Sequence, residues 1–231
     1  MNELKEEQKY KRLRELGQEL HIPIPEHFIT LEVFDKNGKL IQRHHQRSHS
    51  WVRNAYNLLF TQLAGKGMTG DGYGAGKLSI KETDTTVKDT DGTAITIGTA
   101  PDDVGVGYRE AAGLIVNGIL VGSGVNAEDF EDYVLQTPIA EGAGAGQLNH
   151  AQSEANAYSY GALVGTNTLI RYFNNNSGGN VEVNEVCLAA TGFAGAFIDY
   201  ITSRDHLAAT VTIPDTGQLK VTYTIQLTYP A

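Results

Sequence analysis

The chain has a single cysteine, Cys187, among its 231 residues. No intramolecular disulfide can form, so the fold rests on its core and on non-covalent contacts, as suits a reducing cytoplasm. Charge is sparse, at 19% of residues, and its balance of 18 basic to 27 acidic groups gives a formal net charge of −9. Nucleic-acid binders recruit phosphates with a basic face. The only dense basic stretches here are residues 5–14, interleaved with Glu, and residues 43–53. Direct DNA or RNA packaging is therefore not expected. Long apolar runs are also missing. The longest, residues 111–121, includes Gly113, Asn117 and Gly118, well short of the roughly 20 apolar residues that a spanning helix needs. The first residues, MNELKEEQKYKRLREL, are charged throughout, so no secretory signal is expected.

What the chain does have is Gly (26 residues), with abundant Thr and Asn. These types suit short strands joined by many turns, because Gly and Asn accept positive φ and Thr fits a half-buried strand. A chain of this length forms one large domain or two small ones.

Residues 2–20 read as a helix with a thin apolar stripe of Leu4, Leu13, Leu16 and Leu20, joined by Tyr10. A stripe so narrow marks a helix lying on a surface, its own or a neighbour's. Pro23 and Pro25 then end the helix and impose an extended linker, so residues 1–27 are expected to form an arm and residues 28–231 the body. Within the body, residues 28–34 (FITLEVF) alternate with period two. Asp35-Lys36-Asn37-Gly38 is a hairpin turn, because Asn-Gly accepts the positive φ angles such a turn uses, and residues 39–47 return as the partner strand. Ser50 is placed to cap a helix from Trp51, whose apolar positions Trp51, Val52, Ala55, Leu58, Leu59 and Leu63 recur at helical spacing before Gly65. This helix is expected to pack on the first hairpin. Residues 65–76 hold six glycines and read as a loop.

Beyond residue 77 the pattern is strands and turns. Candidate strands are 77–81, 93–98, 114–122, 133–139, 157–164, 167–174, 180–189, 196–203, 207–213 and 218–228, with a short helix possible at 126–133. The last strand is the clearest: Leu219, Val221, Tyr223, Ile225 and Leu227 alternate with Lys220, Thr222, Thr224, Gln226 and Thr228, giving one apolar and one polar face. The expected fold class is mainly β: a sandwich or jelly-roll-like body with an N-terminal helical arm and one packed α-helix.

Each candidate for chemistry fails on a specific residue. In Gly72-Tyr73-Gly74-Ala75-Gly76-Lys77, the first Gly of a phosphate loop falls on Asp71, and Leu78 replaces the magnesium-binding Ser or Thr. His44, His45 and His49, with His27, invite a metal reading. Adjacent His44 and His45 point to opposite faces of a strand, however, so edge-strand polar residues are the simpler account and a histidine ring on a symmetry axis the sharper one. Asp89-Thr90-Asp91-Gly92 begins like a calcium loop, but its twelfth position is Ala100, not Glu. A hairpin turn is the simpler reading, and a weak cation site shared with Asp84 or another subunit the alternative. Asp102, Asp103, Glu128, Asp129, Glu131 and Asp132 are acids without an aromatic sugar platform beside them and read as a solvated face. Gly122-Ser123-Gly124 is too short for a nucleophile elbow, and Cys187 reads as a buried, inert thiol. No catalytic residue, metal site or cofactor is expected.

Three stretches, VGSGVNAEDFEDYVLQTPI, LIRYFNNNSGGNVEVNEVCLAA and SRDHLAATVTIPDTGQLKVTYTIQL, resemble a class of tailed-bacteriophage virion proteins with the elements G-T-G…D-Y-x-L, N-x-S-G-G-x-V-x-V-x-E-x-G-L and R-D…V-T-V-P…G-x-L-x-V-T-Y. Cys187 stands where that class commonly has Gly. FITLEVFDKNGKL followed by SWVRNAYNLL is similar to the beginning of such proteins, and the resemblance spans about three-quarters of the chain. It implies a virion structural role, assembled in the host bacterial cytoplasm, and leaves head, neck and tail open. The leading expectation is a capsid-associated or decoration protein, a homo-oligomer that binds other virion proteins such as the major capsid protein. Its expected assembly contacts are Leu4, Tyr10, Leu13, Leu16, Leu20, Pro23 and Pro25. The alternative is a tail, collar or baseplate component that contacts host glycans. A virion-borne glycan hydrolase using the acids named above is a third class.

Overall fold

A computed structural model of the chain describes residues 3–64, 72–75, 77–88, 96–97, 104–105, 107–193 and 197–230. Among these described residues, two helices, α1 (Glu3–Leu20) and α2 (Arg53–Ala64), accompany twelve strands. The strands are β1 (Ile24–Phe34), β2 (Leu40–Arg47), β3 (Ile80–Lys81), β4 (Val87–Lys88), β5 (Thr96–Ile97), β6 (Gly118–Gly122), β7 (Asn149–His150), β8 (Ala157–Gly161), β9 (Val164–Asn174), β10 (Val181–Phe193), β11 (Phe197–Ile213) and β12 (Gln218–Thr228).

The first sheet runs β2-β1-β12-β9, with β7 and β8 paired to opposite halves of β9. The second runs β11-β10, and β5 and β6 share the far side of β10. The registers explain why the two sheets stack. Pairing Leu31 with Val221, Ile29 with Tyr223 and Tyr223 with Leu169 places Ile29, Leu31, Val33, Leu169, Phe173, Leu219, Val221 and Tyr223 on one face. That face meets Ile119, Val121, Val183, Val186, Leu188, Leu207, Val211 and Ile213 of the second sheet in one continuous core. Fully burying each such side chain contributes about 1.5–3 kcal/mol, against about 0–1 kcal/mol for an exposed ion pair. The sandwich core, not the surface charge, sets stability.

The other face of the second sheet is covered too. Val52 and Leu135 pack on Cys187, Ala189 and Ile201. Leu58 of α2 and Ile80 of β3 pack with Ala190, Ile198 and Tyr200. Burial pushes the Cys187 thiol pKa up, which keeps it protonated.

Several expectations are corrected. The helix begins at Arg53 rather than Trp51, and Ser50 does not cap it. Residues 50–52 instead run extended beside β11, with Val52 N donating to Thr202 O (3.1 Å) and Arg204 N to Ser50 O (3.1 Å). Consequently α2 packs against β11 and β3 and not on the first hairpin: Asn54 Nδ2 donates to Lys81 O (2.8 Å) and Asn57 Nδ2 to Ser79 O (2.8 Å). It is Trp51, ahead of α2, that reaches β1, stacking on His27 at 4.5 Å. In the hairpin turn only Gly38, at φ +75°, takes the left-handed region, and Asp35 Oδ1 accepts from Asn37 N and Lys39 N at 2.8 and 2.9 Å.

Residues 126–133 form turns rather than a helix, and 133–139 are irregular. The buried carboxylate of Glu185 holds the chain on either side, accepting from Gly124 N, Gln136 N and Thr137 N at 3.2, 3.0 and 2.7 Å, and Arg204 donates to Asn126 O and Ala127 O within the turns at 3.1 and 3.2 Å. The two strands expected at 196–203 and 207–213 are one, β11. Arg204 and Asp205, which fall between the two expected strands, are buried with partners: Arg204 Nε donates to Glu185 and Ser48 Oγ to Asp205, both at 2.8 Å.

Candidate assembly surface

α1 lies across the outer face of the first sheet, where β1 begins. Gly17 makes this approach possible. A Cβ there would sit 2.5 Å from Ile24 Cγ1 and 2.8 Å from Ile22 O, so no larger residue fits without displacing the helix. One turn earlier, Arg14 donates through Nη1 to both oxygens of the buried Glu26, each at 2.8 Å, and through Nη2 to Glu7 at 2.7 Å. Arg47, opposite Phe28 in the register of β2 with β1, completes the cluster. Its guanidinium is sandwiched between the rings of Tyr10 (4.0 Å) and Phe28 (4.7 Å), donates to Glu7 at 2.5 Å and pairs with Glu26. His49 meets Glu6 at 2.5 Å, and Gln18 Nε2 donates to Tyr229 O at 2.9 Å. Hydrogen bonds from Arg14 and Arg47 hold the Glu7 carboxyl below its ordinary pKa, and burial raises that of the Tyr10 phenol.

The flank of α1 that carries Tyr10, Arg14 and Gly17 therefore faces the body, and Leu13, Leu16 and Leu20 stay open to solvent alongside the exposed Gln8, Arg12, Glu15 and Glu19. Leu13, Leu16 and Leu20 are 43%, 41% and 60% exposed, and Ile22 just beyond is 52% exposed. Among the expected contact residues, Tyr10 turns to the body beneath Arg47. Leu13, Leu16 and Leu20 form one exposed ridge. Leu4 lies on α1 with its side chain outside the described residues. Pro23 and Pro25 are exposed. Pro25 belongs to β1, which opens at Ile24, in the stretch before β2 joins at Phe28. There a missing N–H is tolerated because the strand has a neighbour on one side only.

The other candidates are accounted for locally. His45 faces the outer side with Thr30 (Nδ1 to Oγ1, 2.8 Å), and His44 meets Gln46 (2.7 Å). Among the described residues no three His, Cys, Asp or Glu side chains converge to hold a metal. Glu131 accepts from Arg53 Nε at 2.7 Å and Asp132 from Arg204 at 2.8 Å, so these acids anchor the 126–133 turns. Asp89, Asp91, Asp102, Asp103 and most of the 65–76 glycine stretch lie outside the described residues.

Sequence reasoning found the ridge but missed the ion cluster beneath it. The available signal was Glu7 and Arg14, two helical turns apart and so on one face. The partners Glu26 and Arg47 come from elements whose approach to α1 no local pattern encodes. Compared with known proteins, the chain matches no family model, no curated protein sequence and no solved structure.

Proposed function

We propose that this chain is a non-catalytic assembly subunit of a tailed-phage particle: a capsid-associated protein that stabilises the shell by binding a neighbouring virion protein through α1. One observation carries the reading. α1 is fastened to its own body by the ion pairs of Arg14 with Glu26 and of Glu7 with Arg47, yet it leaves Leu13, Leu16 and Leu20, and Ile22 just beyond it, exposed. A helix held by packing turns its apolar stripe inward. Here Leu13, Leu16 and Leu20 of the stripe remain exposed, as in the apolar anchors that helix-in-groove recognition uses. The phage assignment itself rests on the resemblance of residues 28–59 and of the segment from about residue 97 to the end.

The test is substitution of the ridge by Leu13→Glu, Leu16→Glu and Leu20→Glu together. These side chains make little contact with the body, so the melting temperature is expected to stay within a few degrees of wild type. Incorporation into particles, measured by quantitative gel of purified virions, is expected to be lost. Full occupancy of the triple variant refutes the ridge as the contact. A copy number of hundreds per particle supports a shell position, and tens or fewer moves the protein to the tail.

A further inference from the structure

The long edges of the sandwich are not treated alike. Along β2, Gln42 and Gln46 lie beside β11 and act as amide plugs. Gln42 donates to Thr210 O (3.0 Å) and accepts from Thr212 N (3.0 Å). Gln46 donates to His206 O (3.1 Å) and accepts from Ala208 N (2.9 Å). The outer edge of β6 is covered by the chain at 137–139, with Ile139 N donating to Val121 O (3.1 Å) and Ser123 N to Thr137 O (2.9 Å). These are the devices that keep a sheet edge from pairing with another chain.

β8 carries none of them. Its sequence, AYSYG, has no charge and no proline, and all five residues are exposed, Tyr158 at 70% and Tyr160 at 58%. It joins β9 through the two-residue turn Ala162-Leu163, at φ +50° and +64°. Positive φ at both positions is the type I′ geometry that matches strand twist, adopted here by residues that disfavour it. The turn makes Gly161 and Val164 a hydrogen-bonded pair, and the alternation continues to Ser159 with Thr166 and Ala157 with Thr168. Tyr158 and Tyr160 therefore direct their backbone N–H and C=O groups away from β9, at an open edge.

We propose that a second copy of this chain adds its β8 antiparallel to this edge, across a two-fold axis through Ser159, joining two six-stranded sheets into one. The spacing selects this occupant. With the axis at Ser159, Tyr158 pairs with the partner's Tyr160 and Tyr160 with the partner's Tyr158. All four outward groups on each strand are then used in four hydrogen bonds, and the tyrosines meet in two cross-strand pairs. Each copy carries a formal charge of −9, so an uncharged strand is where two copies meet with the least repulsion. This interface is separate from the α1 ridge and holds whether or not the chain belongs to a particle.

Ser159 is the test position, because in this arrangement it faces the partner's Ser159 as a non-hydrogen-bonded pair. Such pairs lie about 4.5 Å apart between Cα atoms, within disulfide range. The purified protein is expected to sediment as a dimer at roughly 100 μM. Ser159→Cys is expected to cross-link to dimers under mild oxidation, with the buried Cys187 contributing little background. Ser159→Lys places like charges on the axis and is expected to weaken dimerisation at least tenfold or so. Tyr160→Pro removes one outward donor per chain while keeping the bonds to β9, and is expected to weaken it similarly, with an unchanged circular dichroism spectrum. A monomeric wild-type protein overturns the proposal. So does a dimer that survives Ser159→Lys and whose Ser159→Cys form does not cross-link; loss of that dimer in the Leu13, Leu16 and Leu20 variant would place the contact on α1.

Discussion

Arg171 is fully buried, and among the described residues its hydrogen-bond partners are carbonyls, with no carboxylate. Its Nε donates to Ala151 O (2.9 Å), Nη1 to Asn117 O (3.3 Å) and Ile119 O (3.2 Å), and Nη2 to Ala111 O (3.3 Å) and Leu114 O (2.6 Å). Glu110 does the converse, accepting from Ala111 N (2.8 Å), Val116 N (3.2 Å) and Asn117 N (2.9 Å). Together they fold residues 111–117 into a loop whose backbone groups point inward at two side chains while Leu114, Ile115 and Val116 face out. Burial lowers the Arg171 pKa to about 10, so it stays charged at neutral pH.

Replacing it by Met keeps the volume and removes every donor. Five hydrogen bonds to a charged group, at about 1.5–3 kcal/mol each, would sum to roughly the whole of a typical total stability. The wild type, however, also bears the desolvation of a buried cation, several kcal/mol that Met does not carry. The difference leaves an expected loss of about 3–5 kcal/mol, or roughly 10 °C in Tm for a chain of this size. Urea denaturation gives the magnitude, and hydrogen exchange at residues 111–117 should show the loop released. Arg171→Lys, with three donors at one point instead of five in a plane, should recover less than half. A Met variant within about 1 kcal/mol of wild type would refute the view that Arg171 organises this loop.

Two further outcomes follow from the same kind of comparison. Gly17→Ala in an ordinary helix interior would stabilise by about 1 kcal/mol, but contact with Ile24 and Ile22 reverses the sign. An overpacking cost of about 1–3 kcal/mol should loosen α1, read as faster proteolysis within residues 3–20. His150 is buried against Phe173 at 5.0 Å, and burial first, then repulsion from Arg171, lowers its pKa to about 4. The folded state favours the neutral ring, so its contribution is complete above pH 6.5 and is lost as pH falls towards 4, by up to about 3 kcal/mol. Asp205, pushed up to about 6 by burial, opposes this in part of the same window. The readout is therefore the difference between wild type and His150→Phe: the variant should lose less stability between pH 7 and pH 4.5 in urea titrations, and parallel curves would refute the assignment.

The elements most legible in the sequence were those with one wet face. β12 spans Gln218–Thr228, the range its alternation predicts, because Lys220, Thr222 and Thr224 had to face water while Leu219, Val221 and Tyr223 faced the core. The first hairpin was legible for the same reason. Strands of the second sheet were harder, since both of their faces are covered and period-two alternation disappears. β11 was split in two because Arg204 and Asp205 interrupt the apolar pattern until Glu185 and Ser48, from β10 and the approach to α2, supply their partners. The apolar run at 111–121 gave no hint that its first seven residues loop around Glu110 and Arg171.

By itself the sequence determined the mainly-β class, the surface helix and its ridge of Leu13, Leu16 and Leu20, since these follow from local periodicity and turn chemistry. The tertiary structure decided which side of that helix meets the body. Leucines are expected inward, but Gly17 admits close approach only on the flank carrying Glu7, Tyr10 and Arg14, where Glu26 and Arg47 wait in the register of β1 and β2. Burial of those charges is favourable only because each finds its partner, and that complementarity joins residues up to 40 positions apart.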